Sequence, residues 1–180
     1  LQHAGDWPAT ARLLAAEARA IQAGGADFLL IGTNTMHKVA PEIEAAIDIP
    51  LLHIADATAH RLQADGVTRV GLLGTRFTME QDFYKGRLQE RFGLEVLVPD
   101  DAARERVHRI IYDELCLGDI RESSQAEYLA IIADLAQAGA QAVILGCTEI
   151  ALLVGACQAA VPLYDTTAIH AEAAVTLALA

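Results

Sequence analysis

Apolar and polar positions alternate along this chain in blocks. Short, mainly apolar runs at residues 28–31, 51–54, 67–73 and 142–145 are separated by longer segments whose apolar residues recur every three or four positions. A short apolar run reads as a strand covered on both faces, and the longer spacing reads as an amphipathic helix. Helices are predicted over 7–22, 36–47, 55–64, 79–91, 102–117, 123–138, 149–154 and 167–180. Two further strands are predicted over 95–98 and 162–164. Regular alternation of buried strands with helices implies an α/β fold built on parallel sheet.

The chain also resembles itself. "IQAGGADFLLIGTN" matches "LAQAGAQAVILGCT", which places Thr33 and Cys147 in equivalent positions 114 residues apart. "IPLLHIADATA" matches "VPLYDTTAIHA", with Pro50 and Pro162 offset by 112. Two matches at nearly one offset suggest two α/β halves related by pseudo-twofold symmetry. The plainer alternative is that any two strand–helix units share glycines and apolar residues.

Both halves end an apolar strand in Gly, then a small side chain bearing a hydroxyl or thiol, then the start of a helix. Ligands of open α/β sheets sit at the carboxyl ends of strands. Thr33, Thr75 and Cys147 all fall at such ends. Helix N–H groups attract carboxylates there, and Asn34, Thr35 and Thr148 add side-chain donors. A small carboxylate held between Thr33 and Cys147 would present both faces of one carbon. Cys147 is the strongest chemical candidate, because a helix N-terminus lowers a thiol from its ordinary pKa of about 8.5. Glu149 and His170 are candidates to tune it or relay protons, although Glu149 could equally complement the following helix dipole. Cys116 reads as a small buried hydrophobe, Cys157 as a loop residue, His37 and Lys38 as surface residues, and His53 as a core histidine.

Composition narrows the field. Hydrophobic residues make up 53% of the 180 and charged residues 21%, so the chain can bury a core. A net charge of −11 without any basic block argues against a nucleic-acid partner. No apolar run reaches the length of a membrane span. Three cysteines at unrelated spacings suggest free thiols in a reducing, cytoplasmic compartment and form no metal-like pattern.

"GTNTMHKVA", "LHIADATA", "VGLLGTRFTMEQDFYKGRL", "ELCLG", "GCTEIALLV" and "LYDTTAIHAEA" together resemble the aspartate/glutamate racemase family, from about Asp6 to the end of the chain. The resemblance implies two Rossmann-like parallel-sheet domains with the active site between them, independence of pyridoxal phosphate or any other cofactor, and a homodimer. It implies an isomerase acting on a small amino acid or dicarboxylate through two cysteines on opposite faces of the α-carbon. Here Thr33 stands at the first cysteine post, so only Cys147 is a thiol. Family members open with an earlier Gly-rich strand. The first domain is therefore expected to be truncated at its N-terminus and to comprise residues 1–53 plus 161–180, with the second over 54–160. The alternatives are a single-cysteine relative resembling arylmalonate decarboxylase or maleate isomerase, or an inactive carboxylate-binding protein. Where aspartate-specific relatives are expected to carry a basic residue after the Gly of the "ELCLG" motif, this chain has Asp119. A second substrate carboxylate would then need Arg121 or a further segment to compensate.

Overall fold

In a computed structural model of the chain, the blocks become six parallel strands and nine α-helices. The structure describes residues 1–180, the side chain of residue 3 excepted. Strands β1 (Leu29–Leu30) and β2 (Leu51–Leu52) form a two-stranded sheet. Strands β3 (Arg69–Gly74), β4 (Glu95–Leu97), β5 (Ala142–Gly146) and β6 (Leu163–Asp165) form a second sheet in the order β4-β3-β5-β6. The helices are α1 (Trp7–Ala23), α2 (Ala40–Glu44), α3 (Ile54–Ala64), α4 (Arg76–Glu80), α5 (Asp82–Phe92), α6 (Asp101–Asp113), α7 (Glu122–Gln137), α8 (Ile150–Val154) and α9 (Thr166–Ala178). None is long and apolar enough to cross a membrane.

The larger sheet is covered on both faces, which explains its apolar runs. Val70, Leu72, Ala142 and Ile144 share one core with Ile54, Leu62, Leu88 and Ile169 from α3, α5 and α9. Leu73, Val143 and Leu145 point the other way, into a core with Val107, Ile110, Tyr128, Ile132 and Leu153 from α6, α7 and α8. Alternate residues of one strand thus feed opposite cores, as the period-2 pleat requires. A smaller third core joins Ala11 and Ala18 of α1 to Leu29, Ile31, Val39 and Ile43.

The internal repeat reappears as hydrogen-bond register. Leu29 pairs with Leu51 in the small sheet, and Val143 with Leu163 in the large one. The Leu29 N–H donates to Pro50 O and the Val143 N–H to Pro162 O, each at 2.9 Å. The equivalence extends to the helix caps: His53 Nδ1 accepts from the Ala55 N–H at 3.2 Å, and Asp165 Oδ1 from the Thr167 N–H at 2.9 Å.

Strand β6 hydrogen-bonds to β5, and Ile169 of α9 sits in the core of the larger sheet; a repeat register that pairs β1 with β2 also pairs β5 with β6. Two expectations change. The helix expected over 36–47 is a 3-10 turn (Thr35–Val39) followed by α2, because Pro41 at the first turn of α2 has no N–H to continue the earlier ladder. The helix expected over 79–91 is split at Gln81, whose ψ of 150° is extended, so α4 ends there and α5 begins.

Candidate active site at the paired strand ends

Thr33 follows β1, Thr75 follows β3 and Cys147 follows β5. All three line one cavity of 240 Å³. Asn34, Thr35, Thr148 and Glu149 line it too, so seven of the eight sequence-predicted site residues converge. A cavity below the roughly 300–1,000 Å³ of drug-sized sites suits a small metabolite.

The polar floor is cross-braced. Thr35 Oγ1 and Thr75 Oγ1 are 3.1 Å apart, and Thr75 Oγ1 lies 3.3 Å from Thr78 Oγ1, tying the small sheet's turn to the start of α4. The Asn34 amide Nδ2 donates to Thr166 Oγ1 at 3.1 Å, and that hydroxyl donates to Leu145 O at 2.9 Å. Asn34 is 3% exposed, and its Oδ1 has no partner among the described residues. A buried amide oxygen left unpaired is destabilising.

Cys147 Sγ donates to Glu149 Oε2 at 3.0 Å, and Thr148 Oγ1 donates to the same oxygen at 2.7 Å. Burial and then Glu149 hold the thiol well above its ordinary range. This reverses the expected lowering. Helix α8 is only five residues long, and the Glu149 carboxylate stands at its N-cap, where its negative charge offsets the dipole. Burial pushes the Glu149 carboxyl upward, but the hydrogen bonds from Cys147 and Thr148 carry it net downward. The pair is thus a neutral thiol that donates its hydrogen bond to a carboxylate.

His170 does not join them. Its Nε2 lies 2.8 Å from Leu52 O, and it lines a separate crevice behind Thr148. His37, expected at the surface, is 1% exposed. Its Nδ1 lies 2.8 Å from Thr33 O, and its Nε2 accepts from the Ile54 N–H at 3.2 Å. That pairing makes Nδ1 the protonated nitrogen of a neutral ring. His37 therefore pins the backbone of Thr33 to the start of α3. His53 is buried against it, ring centroids 4.3 Å apart, as a core histidine.

The sequence reading missed the opposite wall. Gln2, Ile111, Tyr112 and Cys116 complete the cavity, and Gln2 Nε2 donates to the Tyr112 hydroxyl at 2.9 Å. Cys116 is exposed rather than buried, since α6 stops at Asp113 and a 3-10 turn (Leu115–Leu117) rotates it outward. Its spacing of four from Tyr112 was the available signal, because such residues share a helix face. Cys157 sits in the loop after α8, half-buried, with Sγ 3.9 Å from Leu153 O.

The family model for Asp/Glu/Hydantoin racemase matches residues 1–174. The chain is 27% identical over 156 residues to the broad specificity amino-acid racemase RacX of Bacillus subtilis (strain 168), a match that covers 87% of this chain and 66% of that protein. A crystal structure of a candidate Asp/Glu racemase from Yersinia pestis superposes with a TM-score of 0.94 and 56% identity, covering all 100% of this chain and 78% of that one. An aspartate racemase homologue from Pyrococcus horikoshii OT3 superposes with a TM-score of 0.86 and 33% identity, covering 99% of this chain and 78% of that one. The chain spans about two thirds of the length of the curated relatives it matches, 66% and 67%.

Proposed function

The chain belongs to the Asp/Glu/Hydantoin racemase family, and from that premise we propose that it is an amino-acid racemase, an isomerase that inverts the α-carbon of a small amino acid without a cofactor. The observation that carries this reading is that Thr33 and Cys147, 114 residues apart, face one small cavity from equivalent strand ends. The named racemase activity of the Bacillus subtilis relative supports it. The reading brings with it the family's expectation of a homodimer, and three free thiols fit a cytoplasmic setting.

The substrate's α-carboxylate is held by the hydroxyls of Thr35 and Thr75, with Thr148 lining the cavity beside them. Its ammonium donates to Asn34 Oδ1, satisfying the oxygen that the protein leaves unpaired. That ammonium also lowers the energy of a nearby thiolate, opposing the burial that keeps Cys147 protonated. The Cys147 S–H proton passes along the existing hydrogen bond to Glu149, an uphill transfer that forms part of the activation barrier. The thiolate then takes the α-proton: the C–H bond breaks, an S–H bond forms, and the electron pair delocalises into the carboxylate. A proton from the Thr33 hydroxyl, or from a water it holds, reaches the opposite face and completes inversion. Thr33 is replenished from solvent and Glu149 releases to solvent the proton it took, which restores the site.

The test is exchange of the substrate α-proton in D2O, followed by NMR. Cys147→Ser replaces the thiol with a hydroxyl that is no base near neutral pH. The expected loss is at least about a hundredfold, the lower end for removing a general base. Undiminished exchange in this variant would refute the assignment.

A further inference from the structure

Resting on the reading of Thr33 and Cys147 as the two acid/base posts, we propose that His37 is a positioning residue for inversion, its ring holding the Thr33 backbone in register with the sheet that carries Cys147. Thr33 lies in a bend between β1 and the 3-10 turn that follows, outside both strand and helix. Its N–H donates to Ile31 O at 2.8 Å, and its carbonyl accepts from His37 Nδ1 at 2.8 Å. Both peptide groups that flank the Thr33 side chain are therefore anchored, one to the strand behind and one to His37.

The ring itself is fixed. Its Nε2 accepts from the Ile54 N–H, and the His53 and His170 ring centroids stand 4.3 and 6.1 Å from its own. Ile54 opens α3 and belongs to the core that also holds Val70, Leu72 and Ile144 of β3 and β5. The strut thus runs from Thr33 through one imidazole to the scaffold whose β5 ends next to Cys147. His37 supplies no proton to the reaction, because both its nitrogens are spent on backbone groups. The second post is held differently. The Cys147 carbonyl accepts from the Ile150 N–H at 3.2 Å, a bond within its own turn. The residue equivalent to His37 in the repeat, 114 positions on, is Ala151, whose methyl cannot make such a strut. Loss of the His37 bond should therefore misplace Thr33 and spare Cys147.

Two readouts separate the posts. For the enantiomer whose α-proton faces Cys147, that thiol alone can exchange the proton in D2O and return deuterium to the same face, whereas inversion also needs Thr33. Exchange is followed by NMR and inversion by chiral chromatography, with both enantiomers of aspartate, glutamate, alanine and methionine as probes. His37→Asn places an amide N–H where Nδ1 stood and keeps the donor to Thr33 O. His37→Gln carries its amide one carbon further, toward Ile54, and leaves Thr33 O without that donor. The ratio of inversion to exchange should fall at least about tenfold in His37→Gln, within the roughly hundredfold that an ångström of misplacement costs. It should stay near the parent's in His37→Asn. An unchanged ratio in His37→Gln, or a fallen one in His37→Asn, would overturn the inference while leaving the Cys147 assignment intact. The Asn variant decides the matter by itself where the Gln variant does not fold. Exchange of none of the probes by the parent protein would overturn both.

Discussion

Thr33 differs from Cys147 in kind as well as in place. A hydroxyl can pass a proton onward but cannot abstract one from carbon near neutral pH. Under the proposed mechanism the two faces of the α-carbon are therefore served unequally. Deuterium from D2O should enter one enantiomer, the one whose α-proton faces Cys147, faster than the other, although the racemic equilibrium is unchanged. Thr33→Cys should bring the two wash-in rates together by adding a thiol at the poorer post. The exchange is small enough for the surrounding packing to accept. If both rates change by one factor, or neither changes while the protein remains folded, Thr33 is a strand-end residue without an acid/base role. Cys147 carries a further lesson at this scale. Its setting after Gly146 marked it as special in the sequence, but the sign of its pKa shift depended on how deeply it is buried and on Glu149 two residues away.

Between elements, the critical contact is where β3 meets β5. Gly74 pairs with Gly146 at the ends of these strands, immediately before Thr75 and Cys147. A Cβ on Gly146 would stand 2.7 Å from Leu73 O and 3.0 Å from Leu72 Cδ1, and one on Gly74 would stand 2.9 Å from Gly146 O. Backbone against backbone cannot rotate aside. Gly146→Ala should accordingly lower unfolding stability by about 1–3 kcal/mol, the usual range for overpacking a closed core, measured by urea denaturation. The strands would be forced apart at the site, so proton exchange should fall as well. A variant as stable and as active as the parent would show that the strand ends have room to relax.

Across the whole molecule, three histidines gather where the small sheet meets α3 and α9. His37 bridges Thr33 and Ile54, His53 packs on its ring, and His170 reaches Leu52. Burial lowers His37 to about 4 and His53 to about 2. A histidine depressed in the folded state is protonated earlier in the unfolded chain, at about 6.5. Unfolding then takes up protons, so stability is full above pH 6.5 and falls as pH drops through the window toward 4. From His37 alone the loss across that window is on the order of 3 kcal/mol. Urea denaturation at pH 7 and pH 5 should show the drop. His37→Gln, which keeps a hydrogen-bonding side chain but cannot titrate, should make it shallower. A profile equally steep in the variant would place the linkage elsewhere.

Sequence by itself determined the elements and their repeat. Apolar runs and helical spacing are written within a few consecutive residues, and the offset between "FLLIGTN" and "AVILGCT" anticipated the matching registers of β1–β2 and β5–β6. It also determined which small side chains end the strands, because Gly before a hydroxyl or thiol is a local signal. Tertiary structure decided the rest. Strand β6 joins the larger sheet through hydrogen bonds to a strand some twenty residues earlier. Helix α6 supplies the far wall of the cavity from a part of the chain with no sequence link to Cys147. His37 is buried by an α3 that begins seventeen residues beyond it. Burial and charge proximity are properties of elements brought together across the chain, and hydrophobic periodicity says only which face turns inward, not what will be found there.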